Sequence, residues 1–364
     1  MRTTVGWHAE PGNGAGTTPT LRRAPLERRD LRPDDVAVRV DYCGVCHTDL
    51  HALRAAGADG SGPRPLVPGH EFTGVVTETG TEVTRFRAGD PVAVGNIVDS
   101  CGACAMCRIG QENFCHDFPT LTYGGTDRGD GSTTLGGYSR AYVLGERFAY
   151  ALPAGLDPAA AAPLLCAGIT VWEPLRALGA GPGTSVAVAG LGGLGHLAVK
   201  FAAALGADTS VISRSPGKAE DARRLGARGF VVSTDAEQLA AARDRFDIVI
   251  DTVSAPHDLG GYLRLVALDG TLSHLGHLGP VTLETLDLLI GRKKLSSAGS
   301  GGRRGTAEML AFCAAHGITA DIELLPSARV NEALDRLDRG DVRHRFVLDL
   351  SDLDGSGRQG PTDG

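Results

Sequence analysis

The chain has 364 residues, 42% of them hydrophobic and 22% charged, with a formal net charge of -7. That length exceeds what one hydrophobic core usually serves, so two domains are expected in a globular protein. The acidic balance excludes a predominantly basic surface for nucleic acid, and no apolar stretch is long enough for a transmembrane helix; residues 1–13 also lack the apolar core of a signal peptide, so the cytoplasm is the expected location.

Residues 1–35 mix polar, proline and glycine positions and read as an edge hairpin with a loose connection, and 36–40 alternates as a half-buried strand. This strand delivers the chain to Cys43-Gly44-Val45-Cys46-His47-Thr48-Asp49-Leu50-His51, dense in thiol, imidazole and carboxylate. Cys46 is the preferred metal ligand there, and Cys43 a buried spectator. A glycine- and alanine-rich loop leads to Leu66-Val67-Pro68-Gly69-His70-Glu71 and a strand over 74–79. His70 can give one ring nitrogen to zinc while a carboxylate orients the other, and Asp49 is the best candidate for that carboxylate. Glu71 reads either as an alternate ligand or as an electrostatic tuner.

The strongest local signal is Cys101-x2-Cys104-x2-Cys107-x7-Cys115. Four thiolates at such spacing can wrap a tetrahedral zinc and leave no position for substrate. An iron-sulfur centre and disulfides are the alternatives, but the spacing lacks the usual ferredoxin pattern. Residues 136–138 turn into a strand over 139–144, and 150–153 closes the first domain. The alanine-rich segment 157–165 is compatible with a helix, and Cys166 follows it in an apolar setting. A core cysteine is the ordinary reading of Cys166; a third ligand beside Cys46 and His70 suits the whole chain better, giving a Cys2His zinc site with one open position.

Next comes a short buried strand, 186–189, then Gly190-Leu191-Gly192-Gly193-Leu194-Gly195 and a helix over 196–205. This is G-x-G-x-x-G in its strand-turn-helix context: Gly190 for the tight turn, Gly192 for close approach of a pyrophosphate, Gly195 for helix packing. Amides at the helix start, from Gly193 and Leu194 onward, suit phosphate oxygens. The second strand, 209–213, ends at Ser213-Arg214-Ser215-Pro216-Gly217-Lys218, where an NAD site would often carry a carboxylate. Hydroxyls and positive charge at Ser213, Arg214, Ser215 and Lys218 favour the 2'-phosphate of NADP. Strands over 229–232, 247–251 and 270–275 alternate with helices over 237–243 and 258–263, supporting a parallel sheet covered by helices. Asp251 reads as a sheet-edge or turn residue rather than a catalytic acid. A helix over 283–290, a strand-like segment from 292, a flexible loop at Gly301-Gly302, helices over 306–316 and 331–339 and a strand over 342–348 complete the pattern. Cys313 faces the core, and the glycine- and serine-rich end from 351 reads as a disordered tail.

Together these motifs resemble the zinc-dependent medium-chain alcohol dehydrogenases, and among them the bacterial cinnamyl alcohol dehydrogenase-like aldehyde reductases. The likeness is carried by the segment from Gly44 to His51, Pro68-Gly69-His70-Glu71, the four-cysteine lobe, Leu135-Gly136-Gly137-Tyr138-Ser139, the Pro163 to Thr170 segment and the Gly190 fingerprint. It implies an α/β fold with a Rossmann parallel-sheet coenzyme domain and a GroES-like, mainly β catalytic domain. The expected divisions are 1–155 catalytic with the zinc lobe, 156–296 NADP-binding, 297–350 returning to the catalytic domain, and 351–364 as tail. Cys46, His70 and Cys166 would then hold catalytic zinc, and Cys101, Cys104, Cys107 and Cys115 structural zinc. Thr48 and His51 would form a proton relay, and His47 would lie near the pyrophosphate; Arg345 reads either as approaching that pyrophosphate or as ordinary surface charge. The implied reaction interconverts primary alcohols and aldehydes, aromatic or medium-chain aliphatic, in a homodimer. The glycine-rich loop over 52–64 lacks a tryptophan often seen in relatives, and 117–134 is a further determinant of substrate choice. A specialised biosynthetic aldehyde reductase, a polyol or sugar dehydrogenase, and a nucleotide-binding regulator without turnover are the competing readings.

Overall fold

In the computed structural model, which describes residues 1–10, 19–56, 65–276 and 279–354, the chain leaves one unit and re-enters it twice. The first unit comprises Met1–Cys166, Gly302–Leu310 and the stretch from Asp321 onward; the second comprises Ala167–Gly301 and Ala311–Ala320.

The first unit is built on a seven-stranded sheet. Its order is Ile322–Pro326, Arg345–Asp349, Asp35–Val45, Phe72–Thr79, Pro91–Val94 and Ala149–Ala151, with Ala141–Gly145 also pairing onto Asp35–Val45. All pairings are antiparallel except that between Ile322–Pro326 and Arg345–Asp349. Asp35–Val45 is the central strand because Val36, Val38 and Val40 send three β-branched side chains into the core, each wholly buried. Phe72, Tyr138, Leu144 and Phe346 pack into the same cluster. Arg2–Ala9 and Leu21–Arg28 form the expected antiparallel hairpin.

The second unit carries six parallel strands in the order Gly229–Val232, Asp208–Ser213, Ser185–Ala189, Phe246–Asp251, Val266–His274 and Lys294–Ser296. The order reverses beside Ser185–Ala189, and this topological switch point is where open α/β sheets bind ligands. Near-continuous apolar runs such as Val186-Ala187-Val188-Ala189 are what a strand covered on both faces requires. The α/β architecture expected from the sequence, one parallel-sheet unit and one mainly β unit, is therefore present.

Several local expectations are corrected. Ala167–Ala177 is a helix that its Gly168 and Pro174 concealed; burial of Ile169, Val171, Trp172 and Leu175 stabilises it. Ile322–Pro326 is an unanticipated edge strand, where a terminal proline is tolerated. Gly301 and Gly302 do not form an open loop: both are buried, and a Cβ on Gly302 would stand 1.9 Å from the Gly110 carbonyl oxygen. Ser351–Asp354, expected to open a disordered tail, forms a helical turn with Leu353 buried and Asp352 accepting from Ser327 Oγ and the Ala328 amide. The rest of that tail, 355–364, lies outside the described residues, as does 57–64 of the substrate-side loop, whose earlier part belongs to helix His47–Ala55.

Candidate metal centres and dinucleotide site

In the first unit, Cys46 stands at the N-cap of helix His47–Ala55. The carboxylate of Asp49, wholly buried, accepts four hydrogen bonds. The donors are the Cys46 amide at 3.0 Å, the Gly69 amide at 3.1 Å, His70 Nδ1 at 3.1 Å and Tyr138 Oη at 3.1 Å. Because a carboxylate only accepts, it fixes the His70 proton on Nδ1 and leaves the Nε2 lone pair facing Cys166 Sγ, 3.2 Å away. Cys46 Sγ and Cys166 Sγ are 3.9 Å apart. A tetrahedral zinc with bonds near 2.3 Å holds its sulfurs about 3.8 Å apart, whereas a disulfide needs about 2.05 Å. The three donors therefore fit a single ion and cannot be a disulfide.

Electrostatics agree. The Cys46 thiol is pushed well below its ordinary range by hydrogen bonding from Cys166, helped by His70 and Arg345, although burial opposes this. Burial alone would lower His70, but the Asp49 carboxylate raises it well above the usual value, so a cation at Nε2 binds in place of a proton. Thr48 Oγ1 lies 3.5 Å from Cys46 Sγ, and His47, Thr48 and His51 are all exposed on the same helix. Glu71 is not one of the three clustered donors. Its carboxylate pairs with the buried guanidinium of Arg345, expected either at a pyrophosphate or on the surface; burial opposes the Arg345 charge, but Glu71 and the two thiols hold it.

The four-cysteine lobe is a separate centre. Its sulfurs all lie within 4.8 Å of one another, with Cys101 and Cys107 3.8 Å apart. That spacing fits one tetrahedral ion and is too open for disulfides. Backbone amides of Cys101, Cys104 and Cys107 point at the sulfurs of Cys115, Cys101 and Cys104, at 3.5, 3.4 and 3.5 Å. The amides of His116 and Cys107 draw the Cys104 thiol down to about 6, while burial pushes Cys107 up to about 11. Glu112 anchors the lobe by accepting from the Arg303 amide and Nε at 2.8 and 2.7 Å.

In the second unit, the three fingerprint glycines serve three separate needs. Gly190 adopts φ +88, and a Cβ there would come 2.9 Å from Thr252 Oγ1. A Cβ on Gly195 would lie 2.1 Å from the Gly190 carbonyl oxygen. Gly192 has nothing within 4 Å of a notional Cβ, which leaves its backbone and that of partly exposed Gly193 and Leu194 open to an anion. Strand Asp208–Ser213 ends at buried Ser213, whose Oγ accepts from the Ser215 amide at 3.2 Å; Arg214 and Ser215 are exposed. Lys218 reaches back to the fingerprint and donates to the Leu191 carbonyl at 3.1 Å. None of residues 213–218 at this strand end is a carboxylate.

Sequence reasoning did not find Tyr138 as a partner of Asp49, nor Tyr123, whose ring meets His70 edge-on at 5.7 Å. The clue to Tyr138 lay in its position two residues after Gly136, in a segment whose amides bond to 67–69.

Residues 32–154 match the family model for the alcohol dehydrogenase GroES-like domain, and residues 193–315 match that for zinc-binding dehydrogenase. An NADP-dependent alcohol dehydrogenase C from Mycobacterium bovis is 45% identical over 339 residues, covering 92% of this chain and 96% of its own. Among solved structures, a cinnamyl alcohol dehydrogenase from Sorghum bicolor superposes with TM-score 0.90 at 42% identity, covering 99% of this chain and 100% of its own. A CAD from Helicobacter pylori complexed with NADP(H) gives TM-score 0.85 at 33% identity, covering 95% and 98%. With two ligand sets suited to zinc and both family parts matched, the chain belongs to the zinc-dependent medium-chain alcohol dehydrogenases, alongside the cinnamyl alcohol dehydrogenase-like enzymes.

Proposed function

We propose that this chain is an NADP(H)-dependent alcohol dehydrogenase and aldehyde reductase that interconverts primary alcohols and aldehydes, with aromatic aldehydes of the cinnamyl type as preferred substrates. The observation that carries the reading is the convergence of Cys46, His70 and Cys166, with His70 held in one tautomer by Asp49. Three protein ligands leave a fourth position for a substrate oxygen, whereas the four-thiol lobe has none to offer and is read as structural. When bound, zinc supplies Lewis-acid polarisation of the substrate oxygen and the nicotinamide cofactor supplies or accepts the hydride.

The chain's own residues do the rest. Thr48, beside Cys46, holds the proton of the substrate hydroxyl at Oγ1, and His51, one turn further along helix His47–Ala55, passes it to solvent. His47 on the same helix is assigned to the pyrophosphate. Gly190, Gly192, Gly193, Leu194 and Gly195 receive the pyrophosphate at a helix start. Ser213, Arg214, Ser215 and Lys218 bind the 2'-phosphate, a reading supported by the missing carboxylate and by the NADP named for the Mycobacterium and Helicobacter proteins. Glu71 and Arg345 are assigned to tuning the charge around Cys46 and Cys166, not to ligation.

A homodimer is supported by the edge strand Lys294–Ser296 and the exposed apolar side chains Leu286, Leu289 and Ile290 close by in sequence. No helix among the described residues is long and apolar enough to cross a membrane. None of the eight cysteines is disulfide-bonded, a state suited to a reducing compartment such as the cytoplasm. The acidic net charge supports small-molecule substrates and not nucleic acid.

The test is NADPH oxidation by the purified, zinc-loaded protein with cinnamaldehyde. Aldehyde-dependent oxidation is expected, with NADPH favoured over NADH by about 10- to 100-fold in kcat/KM, the worth of one charge-assisted phosphate contact. Oxidation no faster than the no-protein control would overturn the substrate assignment.

A further inference from the structure

A third group of metal-type donors lies in the second unit, outside both centres described above. Asp251 ends strand Phe246–Asp251, and His274, its register partner, ends the neighbouring strand Val266–His274. His257 comes from the loop that follows Asp251. One ligand atom from each of the three lies within 4.8 Å of the others. Asp251 is wholly buried and His274 nearly so, while the side chain of His257 retains 18% exposure, which leaves a path to solvent.

The hydrogen-bond roles single out one oxygen. Asp251 Oδ1 accepts from the Val253 amide at 3.0 Å, leaving Oδ2 to face both rings. His274 Nδ1 stands 2.5 Å from Oδ2 and, since a carboxylate only accepts, donates a proton to it, while His257 Nε2 stands 3.0 Å from the same oxygen. His257 Nδ1 lies 2.9 Å from the Ala255 carbonyl, which can only accept, so Nδ1 carries a proton and Nε2 is the nitrogen left to face Asp251. Nε2 faces that carboxylate oxygen without a hydrogen bond of good geometry. At 3.0 Å in a largely buried setting, Nε2 and Oδ2 need a positive charge between them, and three converging donors let a metal ion serve in place of a proton. Anchoring one ring nitrogen on a backbone carbonyl, which leaves the other to the ion, is the usual support of a metal-binding histidine.

We infer that Asp251 Oδ2, His257 Nε2 and His274 Nδ1 form a third metal site that takes a divalent ion of the zinc, cobalt or nickel type, binding of which releases to solvent the proton that His274 Nδ1 gives to Oδ2. Two imidazoles and one carboxylate exclude magnesium and calcium, which take oxygen donors, and three protein ligands leave a position for water. Bonds of about 2.0–2.1 Å set tetrahedral donors about 3.3 Å apart, so the 2.5 and 3.0 Å contacts would open by about 0.8 and about 0.3 Å. The site touches the dinucleotide turn through the chain itself: Thr252, next to Asp251, donates from Oγ1 to the Ala189 carbonyl at 2.8 Å, just before Gly190.

The experiment is equilibrium dialysis of the untagged full-length protein against Zn(II), counting bound metal per chain, and it is independent of the dehydrogenase reading. Wild type is expected to saturate at three equivalents. His257→Ala and His274→Gln should weaken the third by at least about 100-fold, more than loss of a supporting group costs, and leave the other two in place. With Co(II), the third equivalent should add ligand-field absorption without a sulfur-to-cobalt charge-transfer band. If His274→Gln fails to fold, His257→Ala decides alone, since its side chain is partly exposed. Saturation at two equivalents, with the two rings held by a proton only, would overturn the site. A third equivalent undiminished in the folded variants would overturn it equally.

Discussion

The two thiolate centres of the first unit are assembled in opposite ways. In the lobe, all four donors come from the single segment between Cys101 and Cys115, and backbone amides of that same segment point at the sulfurs. At the other centre, Cys46 and Cys166 are 120 positions apart, and the supports are side chains: Asp49 on His70, and Tyr138 on Asp49. One centre is a local turn that a metal completes; the other exists only once the sheet has formed. A local centre can serve as a staple, while a centre built by the fold can be tuned by what surrounds it and can keep a position open.

This contrast can be broken or sharpened by substitution. Cys104→Ser removes one of four local ligands, and the lobe should lose its metal with a stability cost above about 3 kcal/mol, read as a lower denaturation midpoint. The second centre should keep its zinc, and loss of both metals together would dissolve the distinction. Asp49→Asn leaves every ligand in place but weakens the support of His70. It is expected to cut zinc affinity at that centre by about 10- to 100-fold in a competitive chelator titration, with lobe zinc unchanged.

The smallest effect belongs to Asp127, in the segment that leaves the lobe. Burial works against its charge, but Arg32 and the Gly129 amide hold its carboxyl down at about 2. The folded value lies below the unfolded one, so its stabilisation is present above pH 4 or so and fades as pH falls from about 4 to about 2. Asp127→Asn should therefore lower stability at pH 7 by no more than about 1 kcal/mol, given solvent screening, and the difference should vanish near pH 2 in denaturant titrations. A gap that persisted at low pH would mean that the ion pairs with Arg29 and Arg32 are not its source.

What could be read from the sequence follows the same divide. The lobe was legible because its donors lie close together, and the dinucleotide turn because strand, glycines and helix occur in order. The grouping of Cys46, His70 and Cys166 was legible through motif context, and Asp49 through the need of His70 for a carboxylate. The pairing of Glu71 with Arg345, 274 positions away, was not, because Arg345 sits in a run of basic residues that reads equally as surface. Nor was helix Ala167–Ala177, where burial overrides the local cost of glycine and proline. Asp251 read as a sheet-edge residue; its complete burial, which demands partners, shows only in the fold.

The most direct test of the account is Cys46→Ser, measured for zinc per chain and for cinnamaldehyde turnover in one preparation. The account predicts loss of zinc from the second centre only, retention of lobe zinc with a native fold, and turnover reduced by about 1,000-fold or more. Wild-type turnover with full zinc content would contradict it.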